Sequence, residues 1–429
     1  MSVSIRKGIL QFVFSGAYMK RWNDKLRPVE LIEIDKQAHK MIVAWMLCRL
    51  SGRSLPCEDR LALEEAVVEG GIFDYLFRLV ITDIKPPVLY RIKDNPEHYR
   101  QLADWAKAEA EPHVRPLGDG FWERFCGAVD QPKPRGTAAE ILAAAHQYAS
   151  AWEFRILAGL NTAFDDETRE IGRSFVREIS SCRHLPGVED LLLALGRDLG
   201  PEQYSSGTDL PVLAKIANLC GQLRFQKRWS QTPRIPETSV MGHMFIVACY
   251  AYFFSLALGA CRARRVNNFF LGLFHDLPEL LTRDIISPVK KSSERLAGLI
   301  RSYERDELSR RILCPLREHG HSDIVDRLSY YLGLEGGSEF ANCIRENGLC
   351  REISFADLHA GHNEDRFDPK DGEAVKICDI LAAYIEAYTA MRNGITSDHI
   401  QQAFWRMREQ NARRVLGPLH IGPLFTDFD

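Results

Sequence analysis

Apolar residues recur three and four positions apart along most of this chain, and no series of alternating apolar and polar residues competes with them. The pattern predicts helices over 40–50, 61–79, 138–157, 212–228, 240–261, 267–281, 295–313, 324–332 and 373–392. An all-α fold follows. A chain of 429 residues is long for one hydrophobic core and suits two domains. The stretch 196–210 is polar and rich in helix breakers, so the expected division is into helical domains 1–205 and 206–429.

One segment lacks a polar face. Residues 244–261 are uncharged over 18 positions, the lower limit for a membrane span. The segment contains Ser255 and Gly259, has His243 at its mouth, and has no partner span elsewhere. A central helix buried on all sides is therefore expected, with no membrane association.

The two halves echo each other. Gly71-Ile72-Phe73-Asp74-Tyr75-Leu76-Phe77-Arg78-Leu79 lies 201 positions before Gly272-Leu273-Phe274-His275-Asp276-Leu277-Pro278-Glu279-Leu280. Pro87-Val88 precedes Pro288-Val289 at the same offset, as Asp83-Ile84 precedes Asp284-Ile285. Lys20-Arg21-Trp22 matches Lys227-Arg228-Trp229, and 140–146 matches 373–379, at other offsets. A tandem of two related helical bundles is expected. In the first half, Asp74-Tyr75 stands for His275-Asp276, Arg78 for Glu279 and His146 for Asp379, with a lone His39 near the remaining position. The first copy is thus expected to keep the scaffold without a full metal site.

Composition narrows the chemistry only a little. With 45% hydrophobic residues, 26% charged residues and a net charge of -3, the chain reads as globular, and no specific nucleic-acid partner is expected. The 11 cysteines are scattered and form no CxxC pair, which suits buried thiols in a reducing, cytoplasmic setting. The first 22 residues lack an apolar run followed by a small-residue cleavage site, so no signal peptide is expected. There is no Walker-type loop, dinucleotide Gly fingerprint or zinc-finger set.

The candidate chemistry lies in the second half. His243, His275-Asp276 and Asp379 are imidazoles and carboxylates set among apolar neighbours, where such groups are costly unless paired or bound to a cation. Glu279 follows His275 by four positions and Asp276 by three, on one side of a continuous helix. A histidine, an adjacent His-Asp and a remote Asp, in that order, resemble the HD-domain superfamily of metal-dependent phosphohydrolases. The pieces Lys227-Arg228-Trp229, 238–243, 274–290 and 376–384 resemble more closely the bacterial HD-domain 5'-deoxynucleotidases, between Leu223 and Met391.

The resemblance implies that His243, His275, Asp276 and Asp379 hold one divalent cation, with Mn, Co, Fe, Zn and Mg all compatible. It implies that Glu279 orients or deprotonates the attacking water and that Asp284 supports the substrate or proton transfer. Arg228 and Lys290 would face the phosphate and Trp229 would wall the sugar. Core packing is the competing role for Trp229, and a solvent-facing one for Lys290. The implied substrate is a nucleoside or deoxynucleoside 5'-monophosphate or another phosphomonoester. A triphosphate or cyclic-nucleotide hydrolase and a non-catalytic nucleotide sensor or scaffold are the alternatives. Apolar helical surface in the first half could serve a homodimer or an interdomain interface. Two departures stand out: Gly242 replaces the acidic residue that often precedes the first histidine, and an insertion around 315–370 carries His319, His321, His359 and His362. The last two could supply a lid or an extra ligand.

Overall fold

The computed structural model describes residues 3–82, 84–161, 166–199, 210–282, 293–335 and 337–428. The first half contains α1 (Lys7–Phe14), α2 (Glu33–Ser51), α3 (Cys57–Ile81), α4 (Pro86–Asp94), α5 (Pro96–Val114), α6 (Asp119–Val129), α7 (Thr137–Asn161), α8 (Asp166–Ser180) and α9 (Val188–Leu199). The second contains α10 (Val212–Gly221), α11 (Val240–Ala257), α12 (Arg262–Phe274), α13 (Glu279–Thr282), α14 (Glu294–Leu308), α15 (Cys314–Glu318) and α16 (Ser322–Tyr331). It ends with α17 (Phe355–Gly361), α18 (Gly372–Arg392), α19 (Asp398–Asn411) and α20 (Pro423–Thr426). Two short antiparallel hairpins are the only sheets among the described residues: β1 (Cys343–Glu346) with β2 (Leu349–Glu352), and β3 (Val415–Leu416) with β4 (Leu419–His420). The fold is all-α, as the periodicity requires.

The uncharged segment becomes α11, packed against α2, α12 and α18. Every residue from Val240 to Ser255 is buried, which explains why the helix needs no polar face. It is the one described helix apolar and long enough to cross a bilayer, and 89% of that window is covered by protein. Ser239 caps it, its hydroxyl accepting the Gly242 N–H at 2.9 Å. The apolar core runs without a break from α1 to α20, because α2 of the first half lies along α11 of the second. The expected boundary at 196–210 falls mostly outside the described residues.

Three predicted helices end early: the one expected over 240–261 stops at Ala257. The one expected over 212–228 stops at Gly221 and continues as a 3-10 turn, Gln222–Phe225. The one expected over 267–281 breaks after Phe274. Pro278 explains this break, since it has no N–H to bond the Phe274 carbonyl of a continuing helix. Instead Leu277 N–H donates to Phe274 O (2.8 Å) and Glu279 N–H to Asp276 O (3.0 Å), a tighter turn that leads into α13.

The connections leading into α2 and α11 share several features. A single bridge joins Lys20 to Ile32, and another joins Lys227 to Ser239. Trp22 and Trp229 both take left-handed backbone, with φ of 58° and 56°. For a bulky residue that conformation costs about 1–3 kcal/mol and persists only where the surroundings impose it.

Candidate metal centre

Three elements bring the expected ligands together. His243 comes from the first turn of α11, His275 and Asp276 from the turn after α12, and Asp379 from α18. One potential ligand atom each from His243, His275 and Asp276 lies within 4.8 Å of the others. His243 Nε2 is 3.0 Å from Asp379 Oδ1, and His275 Nε2 is 3.2 Å from Asp276 Oδ2 and 4.0 Å from Asp379 Oδ1. The carboxylates mark the open side: the Asp276 and Asp379 side chains are 20% and 18% exposed, whereas both histidines are buried.

The donor set fits a cation on a specific observation. His275 Nδ1 lies 2.8 Å from the Gly272 carbonyl, which fixes the tautomer with its proton there and turns the Nε2 lone pair inward. That buried Nε2 makes no hydrogen bond. Burial alone would lower this imidazole's pKa, but the neighbouring Asp276 and Asp379 carboxylates raise it to about 9. Without a cation Nε2 would carry the ring's second proton toward Asp276, and a divalent cation on its lone pair would answer the same excess of negative charge in that proton's place. Asp276 is itself held below the usual carboxylate range: burial opposes this, and His275 outweighs it.

Behind the histidines stands Glu386, which the sequence reading overlooked. Fully buried on α18, it accepts from Trp229 Nε1 (2.8 Å), Thr238 Oγ1 (2.7 Å) and Arg228 Nε (3.3 Å), and its Oε1 is 3.6 Å from His243 Nδ1. Burial would raise its pKa, yet Arg228 and Arg234 keep it well below the ordinary range, so it stays charged. Arg228 also reaches Asp276 Oδ2 at 3.6 Å. Arg228 and Trp229 are therefore fixed at the rim of the centre. The signal for Glu386 was its spacing: it lies two helical turns beyond Asp379, on the same face of α18.

Two further residues were missed. Lys376 Nζ donates to Asp379 Oδ2 at 2.8 Å, and its side chain is 43% exposed. Phe340, from the insertion, places its ring 5.9 Å from that of His275 and lies under the Lys376 ammonium. Glu279 opens α13 and is 7% exposed, close behind Asp276 in the chain. Asp284 and Lys290 lie outside the described residues. His359 stacks on Phe355 and lies 3.4 Å from Arg264, while His362 packs on Phe367; neither joins the His243 cluster.

The absence of an acid before His243 has a packing cause. A Cβ at Gly242 would stand 2.5 Å from Ile34 Cδ1 and 2.7 Å from Asp35 Oδ1, so a side chain there would have to displace both of these α2 side chains. Asp35 brings a carboxylate to the same place from the first half, accepting from Ser239 Oγ at 2.6 Å.

An all-helical fold with two imidazoles and two carboxylates converging from three elements is the arrangement of a metal-binding HD site. Residues 220–408 match the HD domain family, whose members are generally metal-dependent phosphohydrolases. No curated protein and no solved structure matches the chain.

Proposed function

We propose that the protein is a metal-dependent phosphohydrolase that releases phosphate from nucleoside or deoxynucleoside 5'-monophosphates. The observation that carries the reading is the buried, unbonded His275 Nε2 facing His243, Asp276 and Asp379, with Arg228 and Trp229 fixed beside it. His243, His275, Asp276 and Asp379 would hold the cation. A bound divalent cation polarises a phosphoryl oxygen and lowers the pKa of a coordinated water.

The chain's own residues supply the rest. Glu279, buried at the start of α13, takes the proton of the attacking water. Arg228, braced by Glu386, offsets charge on the nonbridging oxygens, and Lys376 offers a second cation from the mouth. Trp229, its indole N–H tied to Glu386, presents a fixed ring to the sugar. Asp284 and Lys290 keep their expected roles, in proton transfer or substrate support and in phosphate contact.

The test is phosphate release from mono-, di-, tri- and cyclic nucleotides with Mn or Co, for the native chain and for Asp276→Ala. Metal-dependent turnover of monophosphates, lost in the variant, is the expected result. Preferred turnover of triphosphates or cyclic nucleotides would replace the substrate assignment. Saturable nucleotide binding without any turnover would make the protein a sensor.

A further inference from the structure

The first half rebuilds the geometry of the metal centre with the charge reversed. Arg21 Nε donates to Glu153 Oε2 at 2.7 Å and Trp22 Nε1 to the same oxygen at 3.1 Å, as Arg228 and Trp229 do to Glu386. Lys36 stands three residues into α2 from Glu33, as His243 stands three residues into α11 from Val240. Lys36 Nζ meets His146 Nδ1 at 2.8 Å where His243 meets Asp379 at 3.0 Å. His146 and Glu153 are spaced along α7 as Asp379 and Glu386 are along α18. Lys36, and not His39, thus occupies the first ligand's place; His39 is a core residue bonded to Ala217 O at 2.9 Å.

The remaining positions complete the reversal. Asp74 replaces His275 and pairs with Lys40 Nζ at 2.5 Å. Tyr75 replaces Asp276 but is turned into the core, its hydroxyl donating to Val13 O. Arg78 replaces Glu279 and lies 3.5 Å from Glu33. The place of a dication and a general base therefore holds two lysine amines and a guanidinium, faced by Glu33 and Asp74; burial lowers the Lys36 amine from 10.5 to about 7, with Glu33 opposing. A phosphate arriving beside Lys36 would favour its protonated form, which attracts the anion and has no lone pair to offer a metal. The Arg-Trp-Glu clamp proposed above for the substrate is kept.

We propose that the first half is a metal-independent binding site for the phosphate group of a nucleoside monophosphate, with Lys36, Lys40 and Arg78 as its cationic wall and Trp22 beside the sugar. The proposal rests on the substrate reading of Arg228 and Trp229. Entry lies past Asp74 and His146: the Asp74 side chain is 57% exposed and His146 is exposed, so Asp74 can swing off Lys40 as the phosphate arrives. One phosphate oxygen then replaces the Asp74 carboxylate on Lys40, and another meets Lys36 in place of His146 Nδ1. No bond is made or broken.

The test uses full-length Asp276→Ala in EDTA, titrated calorimetrically with a nucleoside monophosphate, inorganic phosphate and the free nucleoside. Saturable binding of the monophosphate is expected, weaker binding of inorganic phosphate, and none of the nucleoside. Lys36→Met and the half-buried Arg78→Ala should each weaken it at least tenfold, while Arg228→Ala leaves it unchanged; Arg78→Ala decides the matter if Lys36→Met does not fold. Absence of metal-free binding, equal binding of the nucleoside, or binding that depends on Arg228 and not on Arg78 overturns the proposal. Metal-dependent turnover by the native chain is measured separately, so a failed catalytic reading is told apart from a failed second site.

Discussion

Gly272 joins the packing of the core to the geometry of the metal centre, so adding one methyl group there has two readable effects. A Cβ at Gly272 would lie 2.8 Å from both Cα and N of Ala248, and 3.0 Å from the carbonyl carbon of Val247. The obstacle is the backbone of α11, which cannot step aside as a side-chain tip can. Restoring a contact of 3.4 Å requires α12 to retreat by roughly 0.6 Å. Overpacking of this kind costs about 1–3 kcal/mol, and the better helix propensity of alanine returns up to about 1 kcal/mol. Gly272→Ala should therefore destabilise by up to about 2 kcal/mol in urea unfolding. The Gly272 carbonyl also holds His275 Nδ1, so the retreat moves His275 away from His243 on α11. A displacement of that size should lower metal-dependent turnover on the order of tenfold. At Gly71 in the first half, a Cβ would clash with the thioether end of Met41 and make an ordinary contact with Leu142 Cδ2 at 3.7 Å. Gly71→Ala should cost less than about 1 kcal/mol, since a methionine tip repacks readily. If Gly272→Ala proves as stable and as active as the native chain, close packing of α12 on α11 is not what positions His275.

Three other perturbations probe separate parts of the argument. Glu386→Gln keeps an acceptor for Trp229 but leaves Arg228 and Arg234 without their shared buried carboxylate; a loss of about 3–5 kcal/mol by urea unfolding is expected, and unchanged stability would contradict it. Arg264 and Asp371 form a fully buried ion pair in which Asp371 also caps α18, so Arg264→Met should cost a similar amount, read as a fall in thermal midpoint. Asp35 is buried, which raises its pKa from 3.8 to about 6 despite the Ser239 hydrogen bond. The folded form therefore binds its proton more tightly than the unfolded one; the resulting stabilisation is complete below pH 3.8 and lost as pH rises through about 6. Asp35→Asn should remove that dependence and be more stable than the native chain at pH 7, by at most about 3 kcal/mol, and a parallel pH profile for both proteins would refute it.

The sequence by itself determined the helices, the burial of α11 and the order of the metal-centre residues, because periodicity and residue chemistry are local properties. It also pointed to the likeness of the segments around Trp22 and Trp229, since matching residues are visible without a structure. Where it failed, the cause was an interaction between distant segments. Glu386 looked like any acidic residue on a helix until packing set it behind His243 and under Trp229. Phe340 was anonymous within the insertion until its loop came to rest on His275. His39 seemed the natural remnant of a lost ligand, yet the direction of α2 sends it into the core and brings Lys36 to the vacated place. Gly242 read as a missing acid, and only the close approach of α2 explains both the glycine and the carboxylate of Asp35 beside it. Which side chains share a site is settled by the direction in which each helix turns its faces, and that direction is fixed by the core the whole chain builds together.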